Sequence, residues 1–434
     1  MKYYSTNNQA PVADLHKAVV KGLAEDRGLY MPEKINKLPK EFFDNIEKMS
    51  FQEIAYTVAS AFFGEDVDPD ALHDIVYDTL QFDCPVVNVK DNIYTLELFH
   101  GPTLAFKDVG ARFMARLLQY FIKQENNHKE VNVLVATSGD TGSAVANGFL
   151  GVDGIHVYVL YPKGKVSPIQ ECQFTTLGKN ITAIEVDGVF DDCQALVKNA
   201  FMDAELNEHM KLTSANSINV ARFLPQAFYY FNAYARMKEQ GKADNLVMCV
   251  PSGNFGNICA ALFGHEMGLP IKRFIAANNA NDIFYNYLQT GKYEPKPSKQ
   301  TLANAMDVGD PSNFARIYDL YGKSHAKITS LISGATYSDE QIKATMRECY
   351  KASGYILDPH GACGYQALKD GLQAGEVGVF CETAHPAKFK EKVDDILGIN
   401  VEIPERLANF MKGTKQSVAM TKEFADFKAY LLSK

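Results

Sequence analysis

Residues 131–150 read VNVLVATSGDTGSAVANGFL. The first six, Val131–Ala136, make a short and nearly continuous apolar run, the pattern of a strand buried on both faces. A turn rich in Gly, Ser and Thr follows, and then an apolar helix over Ser143–Leu150. The same rhythm spreads outward. Strands are expected at Ile155–Tyr161, Ile181–Val186, Leu246–Val250, Phe274–Ala277 and Val377–Cys381. Helices are expected around Ile169–Leu177, Cys193–Phe201 and Asn257–His265. Ser338 opens another, with Gln341 three residues on as in a capping box. Strands separated by helices mean βαβ units and parallel sheets. There are enough strands for two such sheets, so the fold class is α/β.

The first 90 residues read differently. Ala13–Ala24, Glu41–Lys48, Phe51–Phe63 and Pro69–Thr79 suit helices, separated by short Gly- and Pro-containing loops. A mainly helical N-terminal domain is expected there. The whole chain has 434 residues, 46% hydrophobic and 22% charged, so it can bury a large core. Its formal charge of −8 argues against general nucleic-acid binding, which needs a basic face. An anionic small substrate remains open, because local cations and backbone amides can hold it. No stretch of about 18 apolar residues suggests a membrane span. Met1–Leu15 lacks the apolar core of a signal peptide, so a cytoplasmic protein is expected. The eight cysteines have neither CxxC nor zinc-finger spacing; buried free thiols are expected, and no metal site.

Three strand-to-helix turns concentrate the residues that can do chemistry. Ligands of open α/β sheets bind at the carboxyl ends of strands, where helix N-termini present free N–H groups. Ala136–Ala144 (ATSGDTGSA) suits a carboxylate, or equally an ordinary capped turn. Pro251–Asn257 (PSGNFGN) can wrap N–H groups around a phosphate, although it is neither a P-loop nor a GxGxxG fingerprint. His100–Phe113 (HGPTLAFKDVGARF) leads into a helix, because Val109, Phe113, Leu117 and Phe121 recur every four residues. That helix should begin near Lys107. A lysine at a positive helix end is disfavoured as a cation, and a neutral amine is what Schiff-base chemistry requires. A solvated lysine is the plain alternative.

A carboxylate turn, a phosphate turn and such an amine together suit an amino acid bound to pyridoxal phosphate. With Gly22–Glu33 (GLAEDRGLYMPE), GPTLAFKD, ATSGDTGSA, Asn216–Asn219 (NSIN), SGNFGN and Ala305–Asn313 (AMDVGDPSN), the sequence resembles the threonine synthase family from end to end. That resemblance implies a fold type II pyridoxal-phosphate enzyme, tryptophan synthase β-like. It implies a helical domain over residues 1–90, a large cofactor-binding α/β domain over 91–127 and 236–434, and a small α/β domain over 128–235.

The resemblance also implies roles. Lys107, after Phe106, matches the lysine that holds the cofactor as a Schiff base. Ser252, Gly253, Asn254, Phe255, Gly256 and Asn257 match the loop for the cofactor phosphate. Thr383 matches the position whose hydroxyl faces the pyridine nitrogen. Thr137, Ser138, Asp140 and Thr141 match the loop for the substrate carboxylate; Asp140 either faces the cofactor's 3′-oxygen or only fixes the turn. Asn216, Ser217, Asn219 and Arg222 match the block linked to the substrate phosphate, and an interdomain ion pair is the alternative for Arg222. The implied reaction turns O-phospho-L-homoserine and water into L-threonine and phosphate, in a monomer or homodimer. Another fold type II lyase (a phosphohomoserine phospho-lyase or a hydroxyamino-acid dehydratase) and a non-catalytic cofactor-binding homologue are the competing readings. His100, His360 and His385 lie near the motifs as acid–base candidates or turn caps, and Asp358 before Pro359 shapes a turn.

Overall fold

The structure, a computed structural model, describes residues 1–127 and 129–434. Two compact units account for the chain. One comprises Met31–Phe106 and Phe223–Glu402 with Met1; the other comprises Lys2–Tyr30, Lys107–Arg222 and Ile403–Lys434.

The first unit is built on a six-stranded sheet. Its order is Ile332–Thr336, Arg273–Asn278, Leu246–Pro251, Val377–Glu382, Ile93–Glu97 and Val86–Lys90. All neighbours are parallel except the last two strands, which form an antiparallel hairpin. Asp91, at the tip of that hairpin, takes φ +51°, a conformation Asp tolerates better than most residues. Leu246–Pro251 is buried throughout, as its apolar run predicts. Helices Ala227–Glu239 and Gly256–Glu266 pack together, and Phe228–Phe231 is core, 0–1% exposed.

The N-terminal helices Phe51–Phe63 and Pro69–Thr79 fall where periodicity places them. Ser50 and Glu53 close the capping box that starts the first. Its buried face, Ile54, Val58 and Phe62, belongs to a helix packed on Ala227–Glu239. Residues 31–90 fall in this unit, and the unit boundaries lie at 30/31, 106/107, 222/223 and 402/403. The boundaries expected from the sequence are at 90, 127 and 235; the one at 127/128 falls on His128, outside the described residues.

The second unit holds a five-stranded, all-parallel sheet. Its order is Val418–Thr421, Ile181–Asp187, Ile155–Pro162, Val131–Ala136 and Lys211–Ser214. Helix Lys107–Gln124 packs on helix Asp140–Phe149, which explains why the residues after 106 join this unit. The C-terminal helix Phe424–Leu432 sinks Phe427 and Leu431 into a core with Leu160, Ile184 and Leu196. Helix Leu15–Lys21 is shorter than the expected Ala13–Ala24: Asp14 caps its start, and Gly22 ends it at φ +78°.

Candidate active site

In the first unit, Cys249 stands opposite Phe380 on neighbouring parallel strands. Carrying that register three residues further sets Ser252 level with Thr383, both just past the carboxyl ends of their strands. Such strand ends are where open α/β sheets bind ligands.

Gly253–Asn257 turns into helix Gly256–Glu266. None of the five N–H groups from Gly253 to Asn257 has an acceptor among the described residues. Phe255 takes the left-handed conformation at φ +69°, which turns successive amides toward one side. The Asn257 side chain closes the turn: Nδ2 donates to the Pro251 carbonyl at 2.9 Å, and Oδ1 accepts from Ser252 Oγ at 3.0 Å and from Ile258 N at 2.9 Å. Asn254 Oδ1 is buried without a hydrogen-bond partner among the described residues. Open N–H groups at a helix start suit an anion.

Thr383 is 6% exposed, and its hydroxyl bonds to no described residue. Its backbone is tied to the segment that leads into Lys107. Phe106 N donates to the Thr383 carbonyl at 2.8 Å, and His385 N donates to the Leu104 carbonyl at 3.0 Å. Lys388, wholly buried, donates from Nζ to the Thr103 carbonyl at 2.9 Å. Leu104 sits between these ties at φ +62°, strained for a branched side chain. Lys107 is the first residue of helix Lys107–Gln124, as predicted.

The block Ala305–Asn313 also bears on the Gly253–Asn257 turn. A Cβ on Gly253 would lie 2.8 Å from the Ala305 carbonyl oxygen and 3.0 Å from Met306 Cα. Asn313 N donates to the Asn254 carbonyl at 3.1 Å. Asp307 accepts from Thr301 N and Oγ1 and from the amides of Asn279 and Asn281. Burial nonetheless pushes its carboxyl up to about 6.

The three histidines differ. His385 Nδ1 accepts from Ala387 N at 3.0 Å, the turn-capping role expected of it. Burial, with a smaller push from His100, holds its ring down to about 4, so it is neutral near pH 7. His100 contacts Glu97 at 3.0 Å. Burial works to raise Glu97, but hydrogen bonds from His100 and Tyr355 prevail and hold it below the usual range. His360 is paired with Asp358 and buried.

In the second unit, Thr137 Oγ1 accepts from Gly139 N at 2.9 Å and Gly142 N at 2.8 Å. Thr137 is thus the internal brace of its turn. Ser138 and Thr141 keep hydroxyl and N–H groups without acceptors among the described residues. Asp140, 2% exposed, accepts from Gln170 Nε2 at 2.9 Å, which supports its turn-fixing reading. Asn216 forms a closed pair with the Ala136 backbone, 3.2 Å from N and 2.9 Å to O. Asn219 bonds to the Val19, Ser214 and Ala221 backbone. Both amides therefore organise loops. Ser217 is half-buried, and Arg222 is 1% exposed with Nη1 donating to the Ala215 carbonyl.

The family described as "Pyridoxal-phosphate dependent enzyme" matches residues 82–381, "Threonine synthase N terminus" matches 2–80, and "Threonine synthase, C-terminal" matches 361–431. A threonine synthase of Haemophilus influenzae is 44% identical over 432 residues, covering 100% of both chains. The chain belongs to the threonine synthase family. The solved threonine synthase of Escherichia coli superposes with a TM-score of 0.95 at 43% identity, covering 100% of both chains. A pyridoxal-phosphate-bound threonine synthase of Brucella melitensis superposes at 0.91 and 34% identity, covering 100% of this chain and 99% of that one. Membership makes this chain a pyridoxal-phosphate-dependent lyase of fold type II.

The residues present fit that cofactor. A threonine synthase needs a phosphate cradle, and the five backbone N–H groups from Gly253 to Asn257, which have no acceptor among the described residues, fit one. It needs a polar group for the ring nitrogen, and the Thr383 hydroxyl, 6% exposed and bonded to no described residue, fits that need. Lys388 and the His360–Ala305 bond were not read as functional from sequence. Lys388 lies between Ala387 and Phe389 in a buried turn, a context unusual enough for a lysine to flag it. His360 and Ala305 are 55 residues apart, and no local pattern links them. Among the described residues no group of three His, Cys, Asp or Glu gathers as a metal site, and no helix is long and apolar enough to cross a membrane.

Proposed function

We propose that this chain converts O-phospho-L-homoserine and water to L-threonine and phosphate, as a cytoplasmic monomer or homodimer. The observation that carries the reading is the Gly253–Asn257 turn: five backbone amides without acceptors among the described residues, at the carboxyl end of a strand that pairs with the strand ending next to Thr383, whose hydroxyl bonds to no described residue. Bound pyridoxal phosphate supplies an electron sink for charge that develops at the substrate Cα.

The chain's own groups do the rest. Gly253–Asn257 hold the cofactor phosphate through backbone N–H groups. Thr383 meets the ring nitrogen with a hydroxyl, which brings no full negative charge to keep a proton there. Lys107 heads a helix whose aligned amides disfavour an ammonium, so its amine is suited to take the proton from Cα and to return protons to the substrate carbons. Ser138 and Thr141 receive the substrate carboxylate with hydroxyl and N–H groups, while Thr137 and Asp140 hold their turn in shape. Ser217 and Arg222 receive the substrate phosphate, for which a guanidinium is the matching fork. Asn216 and Asn219 order that block.

The test is product analysis. Purified holoenzyme given O-phosphohomoserine should release threonine and phosphate in equal amounts; 2-oxobutanoate as the main product would instead make the chain a different lyase. Lys107→Ala should lose both the visible band of the lysine-bound cofactor and turnover, and an unchanged spectrum would remove Lys107 from its role.

A further inference from the structure

The phosphate turn leans on a second element with its own support. Ala305 and Met306 form the wall against which Gly253 packs, so closely that no Cβ fits between. Ala305 N donates to His360 Nε2 at 3.1 Å. A backbone N–H can only donate, so Nε2 must carry the lone pair. The ring proton is then on Nδ1, where it faces Asp358 Oδ2 at 2.5 Å. His360 is 2% exposed and Asp358 0%. The same aspartate caps helix Pro359–Gly371, accepting from His360 N at 3.1 Å and Gly361 N at 2.9 Å. Phe389 packs on the imidazole, with ring centroids 5.0 Å apart.

We infer that Asp358 and His360 are positioning residues for the cofactor phosphate. Asp358 selects the Nδ1–H tautomer; that tautomer presents an acceptor to Ala305 N–H; and the 304–306 turn, so held, fixes Gly253 and with it the direction of the amides that follow. A histidine in the other tautomer would place two N–H groups against each other at Ala305, and the wall would move. Neither residue touches the phosphate in this scheme. Both act through a backbone turn, as the outer residues around metal ligands do.

The inference rests on Gly253–Asn257 being the cofactor-phosphate turn, and the experiment separates the two. Apoenzyme is titrated with pyridoxal phosphate, and the phosphorus NMR signal of the bound cofactor is recorded, for wild type, His360→Leu, His360→Gln and Asp358→Asn. Glutamine carries an amide oxygen at about the reach of Nε2 and can accept from Ala305 N–H, whereas leucine fills space alone. His360→Leu should weaken binding about tenfold, the equilibrium equivalent of one lost hydrogen bond, and shift or broaden the phosphorus signal. His360→Gln should stay within about threefold of wild type, and Asp358→Asn should fall between the two. Equal weakening by leucine and glutamine, or wild-type affinity in His360→Leu, would overturn the inference while leaving the phosphate turn in place. A wild-type protein that binds no pyridoxal phosphate would overturn both.

Discussion

The backbone N–H of Phe106 donates to the carbonyl of Thr383 at 2.8 Å. The residue before the proposed Schiff-base lysine is thereby locked to the residue proposed for the cofactor's ring nitrogen. Two functions that a mechanism must coordinate share one short antiparallel bridge, Ala105 opposite Ala384. Side chains at 106 and 383 can change without breaking that tie, because it is main chain to main chain. Substitutions there should therefore report chemistry rather than folding.

Thr383→Val removes the hydroxyl and keeps the shape. The bridge survives, so thermal unfolding should shift by no more than about 1 kcal/mol. Turnover should fall at least tenfold, about the worth of one hydrogen bond made at the reacting group. Thr383→Ser should recover most of it. Equal turnover in valine and serine variants would show that the hydroxyl does not meet the ring.

Lys388→Met tests the other tie. The amine is fully buried on the Thr103 carbonyl, and methionine of similar length cannot donate. Losing this buried hydrogen bond costs about 1–3 kcal/mol. A lower melting temperature, with the visible cofactor band kept but turnover reduced, is the expected result from calorimetry and spectroscopy on the same sample.

Gly253→Ala forces a methyl against the Ala305 carbonyl oxygen and Met306 Cα, both backbone. Overpacking of this kind costs roughly 1–3 kcal/mol. Because the strain falls on the turn proposed to hold the cofactor phosphate, the cofactor dissociation constant should rise at least about tenfold. Fluorescence titration of apoenzyme, free of tryptophan background since the chain has none, gives that constant directly.

Arg222→Lys keeps the charge and loses the planar fork. The KM for O-phosphohomoserine should rise about tenfold with cofactor affinity unchanged, the loss expected when a bidentate contact becomes a single one. A parallel loss of both affinities in steady-state and binding assays would make Arg222 a structural residue.

Much of this was legible in residue patterns, for reasons that also explain what was not. Val131–Ala136 and Leu246–Pro251 declare themselves because strands buried on both faces must be apolar throughout. Lys107 declares itself because the four-residue spacing of Val109, Phe113, Leu117 and Phe121 fixes where its helix starts. Val418–Thr421 stayed hidden: four residues, half of them exposed, join Ile184–Asp187 from more than 200 positions away. Lys211–Ser214 was missed for similar reasons of length. The amides of Asn216 and Asn219 matched a substrate-binding motif, yet they spend their hydrogen bonds on Ala136 and Val19, partners that only tertiary placement supplies. Composition says that such a group must be satisfied, not by whom.

Two buried groups set opposing pH dependences on stability. Burial raises Asp307 from 3.8 to about 6, so the folded chain binds the extra proton between those values. Its stabilisation is complete below about 3.8 and is lost as pH rises through about 6. His385 runs the other way. Burial, helped by His100 and Lys388 and resisted by Glu97 and Asp358, lowers it from 6.5 to about 4, so stability is complete above 6.5 and is lost as pH falls toward 4. The groups facing Asp307 are Thr301, Asn279, Asn281 and, through space, His360. In wild type the two slopes largely cancel between pH 4 and 6. Asp307→Asn removes one: its melting temperature relative to wild type should climb from pH 4 to 6 and level off by about 7. His385→Asn, whose amide oxygen can still accept from Ala387 N, removes the other, and its melting temperature relative to wild type should fall over the same range. Calorimetry of the three proteins at half-unit steps decides the matter; difference curves of the same sign would mean that one of these two groups titrates as it does in the unfolded chain.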